Sequence, residues 1–376
     1  MIAERLALNH DVTILTTCAK DHISWRNEYP AGRSGMGPLL VLRFPVARER
    51  SLHRFKEISE VAFSGAASEA EQEQWFRENG PEAPELLAHL ERYGADFDRI
   101  LFWSFRYYQT FFGLPLVADR AVLVPTAEED PVIRFSVLGH LFALPAAYLF
   151  LTPEEETLVA LHCSRPLAPS CIVGIGLEPV RSPPGVSLEA IGVTRPFVLY
   201  LGRVDPNKGC DTLLRHFLRR QAASDSRVPL VMAGPVNMPV PDHPSVRRLG
   251  FVDEAAREAL LANATVLVVP SPYESLSMVL LEAWNHGVPA LVNGRCSVLK
   301  GQALRADGAL YYQNFDEFAR GLDYLPGRPD VVRQLGQQGL SYVDREYRWP
   351  QVIHKIEQLL ASIERRDGLS RQRALG

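Results

Sequence analysis

The chain has 376 residues, which is more than one hydrophobic core usually supports, so we expect two domains. Its composition, 47% hydrophobic and 22% charged, is typical of a globular protein, and no apolar stretch is long and uninterrupted enough to span a bilayer. The net charge of −4 argues against nucleic acid as a partner, and five scattered cysteines without CxxC spacing argue against a zinc site and favour a reducing, cytoplasmic location.

Short apolar runs alternate with helical patterns in the first part of the chain, which opens without the pattern of a secretory signal. Strands are predicted at HDVTILTT, LLVLRFP, FDRILFWSF and RAVLVPTA, and EQEQWFRENGPEAPELLAHLERYG has helical spacing that stops at Gly94. The apolar stretch FSVLGHLFALPAAYLFL is interrupted by His140 and Pro145, so we interpret it as buried helix and strand. This alternation predicts a parallel sheet flanked by helices.

A cluster of cations stands out against the acidic balance of the chain. Its members are Arg43, Arg48, Arg50, Arg54 and Lys56. We interpret it as the solvated face of a helix. The alternative is a patch for an acceptor or for a membrane surface, with peripheral contact at the inner membrane face.

Proline and glycine crowd the middle of the chain, after which the alternation starts again. Strands are predicted at PFVLYLGRV, VPLVMAGP, SVRRLGFV, ATVLVVPS and VPALVNG, and helices at CDTLLRHFLRRQAA and DEAAREALLANA. The final amphipathic helix is expected to pack across the domain junction. The predicted parts are a first domain over 1–172, a linker over 173–195, a second domain over 196–345 and a C-terminal helix over 346–376.

Two cations and two glycines follow the first strand of the second domain, in GRVDPNKGC. Arg203 and Lys208 precede a predicted helix, where free N–H groups and the helix dipole add to their charge. Gly202 and Gly209 allow the backbone to approach a ligand. The pattern predicts a site for phosphate or diphosphate, and a tight turn in which Arg203 pairs with Asp205 is the alternative for this loop by itself.

Two glutamates eight residues apart lie in SPYESLSMVLLEAW. Were 274–282 wholly helical, Glu274 and Glu282 would be separated by about 12 Å of axial rise, the reach from a sugar ring past a diphosphate to a ribose. Because carboxylates accept hydrogen bonds from vicinal hydroxyls, Glu274 is predicted to hold the sugar and Glu282 the ribose. For Glu282 alone, a surface glutamate of a helix is the alternative. The backbone N–H groups predicted to face phosphate are those of Ser275, Leu276, Ser277 and Met278.

Three consecutive stretches of the second domain, GRVDPNKGCDTLL, GFVDEAAREALLANATVLVVPS and YESLSMVLLEAWNHGVPALV, resemble the signatures of retaining family 4 glycosyltransferases. The first domain is similar to acceptor domains of bacterial members in TTCAKDHISWRNEYPAG, RFPV and VLVPTAEED. The resemblance implies an α/β protein of the GT-B fold, with two doubly wound Rossmann-like domains facing across a cleft. It implies that the first domain binds the acceptor and the second the nucleotide-sugar donor.

The resemblance also implies roles for residues at matching positions. Arg203 and Lys208 would hold the donor diphosphate, Glu274 would contact the transferred sugar, and Glu282 would contact the ribose. The base would meet the backbone of Gly250, Phe251 and Val252.

The chain departs from the family pattern in three places. Glu128 stands after PTA, where relatives often carry histidine, so the acceptor-side group differs in kind. Ser275 and Ser277 replace two glycines of the E-G-F-G loop. The first strand and glycine-rich turn of the fold should precede AERLALNH, so we expect a truncated gene model or an N-terminally clipped form.

The reaction implied is transfer of a hexose from a UDP- or GDP-sugar to a hydroxyl of a glycan, glycolipid or polysaccharide, with retention at the anomeric carbon. Cationic side chains and a helix N-terminus would stabilise the departing diphosphate, so neither a metal nor a cofactor is expected. The second candidate is a degenerate, non-catalytic relative that binds nucleotide sugar.

Two nucleotide-enzyme classes fail on their motifs. VGIGLEP has Gly174 and Gly176 but Pro179 where a dinucleotide fingerprint requires its third glycine, and no P-loop motif is present. An epimerase or a sugar phosphorylase shares the fold, and the loop signatures weigh against both.

Overall fold

The computed structural model describes residues 2–180, 185–223 and 228–375, with side chains as far as 365. Two compact units make up the chain: unit 1 is Met1–Gly174 with Val352–Gly376, and unit 2 is Ile175–Gln351. Residues 181–184 of the predicted linker lie outside the described residues.

Unit 1 has two sheets in the part of the chain that is described. Its strands are β1 (Thr13–Thr17), β2 (Gly32–Met36), β3 (Leu39–Phe44), β4 (Ile100–Trp103), β5 (Ala121–Val124), β6 (Ala147–Phe150) and β7 (Ser170–Ile172). The first sheet has the order β1-β3-β2, with β1 parallel and β2 antiparallel to β3. The second is parallel and has the order β4-β5-β6-β7. Every residue of β5 and β6 is buried, as expected for strands covered on both faces.

The helices of unit 1 pack over these strands around an aromatic core that includes Trp75, Phe76, Phe105 and Phe142. They are α1 (Ile2–Leu6), α2 (Leu52–Ala62), α3 (Glu69–Asn79), α4 (Pro84–Tyr93), α5 (Tyr108–Gly113), α6 (Val137–Leu141) and α7 (Pro153–His162). The helix and strand predicted within FSVLGHLFALPAAYLFL are α6 and β6.

The helical pattern before Gly94 forms two helices rather than one. Helix α3 begins with a capping box between Ser68 and Glu71. It ends at Gly80, whose φ of 71° suits glycine, and Pro81 then follows without an N–H to continue the helix. The break allows α3 and α4 to leave the turn in different directions.

The cation cluster is not a helix face as a whole. Arg43 lies in β3 and donates to Ser34 Oγ over 2.6 Å, and Arg48 donates to Glu78 over 2.9 Å and to Glu82 over 2.8 Å. Arg50 donates to Asn79 Oδ1 over 2.8 Å. The interpretation is therefore wrong for these three arginines and holds only for Arg54 and Lys56 on α2. Arg43 joins β3 to β2, while Arg48 and Arg50 tie the loop before α2 to α3 and to the turn after it.

Unit 2 is one parallel sheet with helices between its strands. The strands are β8 (Val198–Leu201), β9 (Leu230–Ala233), β10 (Val246–Gly250), β11 (Val266–Val269), β12 (Ala290–Asn293) and β13 (Ala309–Tyr312). The helices are α8 (Cys210–Ala223), α9 (Glu254–Asn263), α10 (Met278–Asn285), α11 (Ser297–Ala306), α12 (Phe315–Tyr324) and α13 (Pro329–Glu346). The strand order is β10-β9-β8-β11-β12-β13, so the chain reverses its direction of growth between β8 and β11. Open α/β sheets bind ligands at the carboxyl ends of strands beside such a switch point.

The last helix, α14 (Trp349–Leu375), begins in unit 2 and belongs to unit 1 from Val352 onward. Its packing across a domain junction stays a prediction. No helix in the described part of the chain is long and apolar enough to cross a membrane.

Candidate functional site

The loop after β8 carries the predicted anion-binding cations. Arg203 is exposed at the carboxyl end of the strand. The carboxylate of Asp205 is occupied elsewhere: it accepts from Asn207 N over 2.9 Å and from Asn237 Nδ2 over 3.3 Å. Asp205 thereby caps the short turn that contains Lys208. These contacts of Asp205 are made with Asn207 and Asn237, and the use of this loop as an anion site stays a prediction.

Two glycines allow the loops at this edge of the sheet to approach one another. Gly209 has a φ of 73°, and a Cβ built there would lie 2.3 Å from the carbonyl oxygen of Pro270. Gly234, after β9, has a φ of 137°, and its Cβ would lie 2.0 Å from the carbonyl oxygen of Gly202. Because any larger side chain would push the loops apart, these positions require glycine.

Lys208 and Glu274 meet, although 66 residues separate them in the sequence. The Lys208 ammonium donates to Glu274 Oε1 over 2.9 Å. The Glu274 side chain is only 12% exposed. Asn293, at the end of β12, holds the loop that leads to Glu274 by donating to the carbonyl oxygens of Pro270 over 3.3 Å and Ser271 over 3.2 Å. Neighbouring strands therefore bring together the cation and the carboxylate that the sequence placed in one site.

Helix α10 begins at Met278, with Ser277 at its N-cap position. The segment from Glu274 to Glu282 is therefore not wholly helical, and the predicted separation of about 12 Å does not apply. The N–H of Ser277 donates to Gln302 Oε1 over 3.2 Å, so the prediction that this N–H faces phosphate is wrong.

The buried polar groups behind this helix start are incompletely paired. Ser277 is 2% exposed and Gln302 is 0% exposed. Within the described structure, neither Ser277 Oγ nor Gln302 Nε2 has a hydrogen-bond partner. Ser277, which replaces a glycine of the E-G-F-G loop, therefore has its side chain buried rather than at the surface. Leu276 is buried as well, and Ser275 is half-buried.

Glu282 pairs with a residue that the sequence reasoning did not name. Arg257 on α9 forms a close ion pair with Glu282 Oε1. Burial raises the pKa of Glu282, and the charge and hydrogen bond of Arg257 oppose that rise. The interpretation of Glu282 as a plain surface glutamate is wrong, because its side chain is only 22% exposed. The signal in the sequence was a single arginine among two glutamates and an aspartate in DEAAREALL.

The three residues predicted to meet the base lie at the end of β10. The carbonyl oxygen of Gly250 accepts from Gly234 N over 2.7 Å, which joins this end to the loop after β9. Phe251 is 80% exposed, and Val252 is half-buried. An exposed aromatic ring at the end of a strand on the edge of the sheet suits a planar, partly apolar ligand.

Glu128 lies in unit 1, after β5. Arg106 contacts it over 3.6 Å and contacts Asp130 over 2.5 Å. Beneath this loop, the buried carboxylate of Glu155 accepts from Ala127 N over 2.7 Å. Burial raises the pKa of Glu155 to about 7, against the effect of its backbone hydrogen bonds. The acceptor-side candidate therefore belongs to a charged cluster held from below by a buried carboxyl group.

Residues 195–325 match the family model for glycosyl transferases group 1. Glycogen synthase 1 of a Synechococcus strain is 27% identical over 186 residues, covering 42% of this chain and 36% of that protein. Sucrose-phosphate synthase from Thermosynechococcus elongatus has a TM-score of 0.70 at 16% identity, over 96% of this chain and 91% of the other. The Anabaena protein HepE, solved in complex with UDP, has a TM-score of 0.62 at 14% identity, over 86% of each chain.

These likenesses identify the architecture. The chain has the GT-B fold. Its residues 195–325, which contain every candidate of unit 2, are similar to group 1 glycosyltransferases. The chain spans between 36% and 62% of the length of the curated relatives it matches.

Proposed function

We propose that this protein is a retaining hexosyltransferase that moves a hexose from a UDP- or GDP-sugar to a hydroxyl of a glycan, glycolipid or polysaccharide. The observation that carries the proposal is the contact between Lys208 and Glu274, with exposed Arg203 on the same loop as Lys208. This contact places a cation that can bind phosphate beside a carboxylate that can accept hydrogen bonds from sugar hydroxyls. Both lie at the switch point of the sheet. The match of residues 195–325 to glycosyl transferases group 1 supports it.

Lys208 can serve both groups at once. Its ammonium has three donors and uses one on Glu274, so donors remain for diphosphate oxygens. Arg203 adds a planar guanidinium suited to a phosphate. Glu274, fixed by Lys208, accepts hydrogen bonds from hydroxyls of the hexose.

In the proposed reaction, the acceptor oxygen bonds to the anomeric carbon as the bond from that carbon to the diphosphate breaks. Positive charge builds on the sugar and negative charge on the leaving diphosphate. The acceptor proton passes to a phosphate oxygen of the leaving group. Arg203, Lys208 and the N-terminus of α10 stabilise the diphosphate through fixed charges and dipoles, so we propose that turnover requires no metal ion.

We propose that unit 1 supplies the acceptor-binding groups, including Glu128. We also propose a cytoplasmic location: the five cysteines are all free thiols, which fits a reducing compartment. Contact with the inner membrane face stays a prediction.

Calorimetry in EDTA with UDP, GDP and ADP tests the donor site, with UDP first because the similar Anabaena structure contains it. Lys208→Met should weaken binding by roughly tenfold to a hundredfold, the effect of losing a charged hydrogen bond. Arg215→Met is the matched control, since it removes an exposed cation of α8 whose partners among the described residues, Asp211 and Thr212, lie on its own helix. A folded protein that binds none of the three nucleotides would refute the proposal.

Turnover is tested separately from binding. UDP-glucose and GDP-mannose are incubated with the protein and oligosaccharide acceptors, in EDTA, and nucleotide release is followed. NMR of the product then reports the anomeric configuration. Binding without turnover on any donor and acceptor would favour the non-catalytic candidate, and an inverted product would refute the retaining mechanism.

A further inference from the structure

Helices α9 and α10 are joined by an ion pair and by a contact between a carboxylate and a histidine. Arg257 contacts Glu282 Oε1 closely, and Glu258 Oε2 lies 2.9 Å from His286 Nε2. His286 is the C-cap residue of α10 and follows Glu282 by four residues, so the two lie on one side of the helix end. Arg257 is further held on its own helix by Glu254 over 3.0 Å. The guanidinium is thus fixed from two sides.

The ionised carboxylate of Glu282 needs a neighbouring cation, because the strands behind it offer no charge. Strands β11 and β12, which pack against α10, bring only the apolar run VLVV and the segment ALVN. Helix α13 presents Gly336 and Gly339, which touch Gly287 and Trp284. Among the residues that the structure describes, the charged groups facing Glu282 are therefore Arg257, Glu254 and Glu258 of α9, with His286 at the C-cap of α10.

Ionisation decides what Glu282 can do for a ribose. An ionised carboxylate has about four acceptor sites and no donor, so it can hold two hydroxyls and an arginine together. A protonated carboxyl group makes weaker hydrogen bonds and points a donor at one of its partners. Without Arg257, two glutamates of α9 would remain nearby, and burial would favour the protonated form.

We propose that Arg257 is a positioning residue that keeps Glu282 ionised and aimed at the ribose hydroxyls of the donor nucleotide. The proposal rests on the function proposed above. Arg257 itself does not touch the reacting atoms. Its effect is specific to the ribose half of the donor and leaves the diphosphate contacts of Arg203 and Lys208 unchanged.

Nucleotide binding to Arg257→Gln tests the proposal. Calorimetry from pH 6 to 9 compares UDP with 2′,3′-dideoxyuridine diphosphate, which lacks both ribose hydroxyls. Arg257→Gln should lower the affinity for UDP on the order of tenfold at pH 6.5, because hydrogen bonds to a charged acceptor become hydrogen bonds to a neutral one. The loss should shrink as rising pH ionises Glu282, and the dideoxy nucleotide should bind as it does to the wild type.

Three further variants separate positioning from general damage. Arg257→Lys keeps the charge and should restore most of the affinity. Glu254→Gln removes a 75% exposed partner of the same guanidinium and should leave UDP affinity within about twofold. Glu282→Gln should show the loss at every pH, and adding Arg257→Gln to it should cause no further loss. Equal losses for both nucleotides, or a loss independent of pH in Arg257→Gln, would overturn the proposal.

A direct titration keeps this inference distinct from the proposed function. The carboxyl carbon of Glu282 is followed by ¹³C NMR in glutamate-labelled protein and assigned from Glu282→Gln. Its pKa should be higher in Arg257→Gln than in the wild type, and an unchanged pKa would overturn the proposal. If the folded wild type binds no nucleotide, the proposed function and the ribose role both fail, while this titration still decides whether Arg257 holds Glu282 ionised.

Discussion

Replacing Gly209 with alanine should damage unit 2 more than a replacement at a second glycine of the same conformation. Gly209 has a φ of 73° and Gly287 a φ of 68°, so the backbone strain of an alanine with positive φ should be similar at both positions. At Gly209 the new Cβ would lie 2.3 Å from the carbonyl oxygen of Pro270, whereas at Gly287 nothing lies within 4 Å. The pair thus separates a steric clash from backbone strain.

The magnitudes follow from these contacts. A left-handed residue other than glycine costs about 1–2 kcal/mol, partly offset by the lower entropy of the unfolded alanine chain. We therefore expect Gly287→Ala to cost about 1 kcal/mol. Because Cβ atoms essentially never lie under 3.0 Å from such an oxygen, Gly209→Ala must also displace one loop by about 0.7 Å. Overpacking of this kind adds about 1–3 kcal/mol.

The assay is thermal unfolding of the two variants, with nucleotide calorimetry on each. For a unit of this size, each kcal/mol lowers Tm by about 2–4 °C. Gly209→Ala should therefore melt several degrees below Gly287→Ala. It should also lose nucleotide affinity, because its displacement moves Lys208 relative to Glu274. Equal melting temperatures for the two variants would refute the claim that contact with Pro270 requires glycine at position 209.

Three other predictions concern charged groups. Arg48→Met should destabilise unit 1 by about 3 kcal/mol, because Glu78 is only 7% exposed and would lose its cation. Although burial opposes it, the hydrogen bond from Arg48 lowers the pKa of Glu78. Unfolding at pH 8 should therefore show the full destabilisation of Arg48→Met. This destabilisation should vanish as the pH falls below about 4, where Glu78 becomes protonated. The pKa of Glu155 is about 7, so folded unit 1 binds more protons than the unfolded chain between about pH 4 and 7. As the pH rises through this window, the stability of unit 1 should fall by up to about 1.4 kcal/mol per pH unit. Thermal unfolding of Glu155→Gln should not show this dependence on pH. Glu274→Gln should lower kcat in the turnover assay by at least tenfold while nucleotide affinity, measured without the sugar, changes by less than threefold, because the substituted amide would still accept from Lys208 but carries no charge.

Much of the fold was readable from local patterns. The apolar runs VLYL, VLVV and ALVN became β8, β11 and β12, because strands buried on both faces have no polar alternation to obscure them. Strand β2, with the sequence GRSGM, was missed because it is fully exposed and pairs only at the edge of its sheet. Strand β13 was also missed: ALYY is an edge strand in which only Tyr312 is fully buried.

The site was only partly readable in the same way. The meeting of Lys208 and Glu274 followed from general rules, since both lie just beyond the carboxyl ends of strands that are neighbours in the sheet. The pairing of Ser277 N with Gln302 depends on how α11 packs behind α10, so no spacing in the sequence announces it. The same holds for Arg48, whose glutamate partners lie 30 and 34 residues away.

The sequence by itself determined where most of the buried strands lie and which loops carry charge, because local periodicity, caps and glycines act over a few neighbouring residues. Only the tertiary structure decided which charges pair. Arg257 has three glutamates within reach, and its contact with Glu282 depends on where α9 crosses α10. Coulomb attraction changes steeply over a few ångströms and with burial, and those distances are set by the packing of elements far apart in the chain.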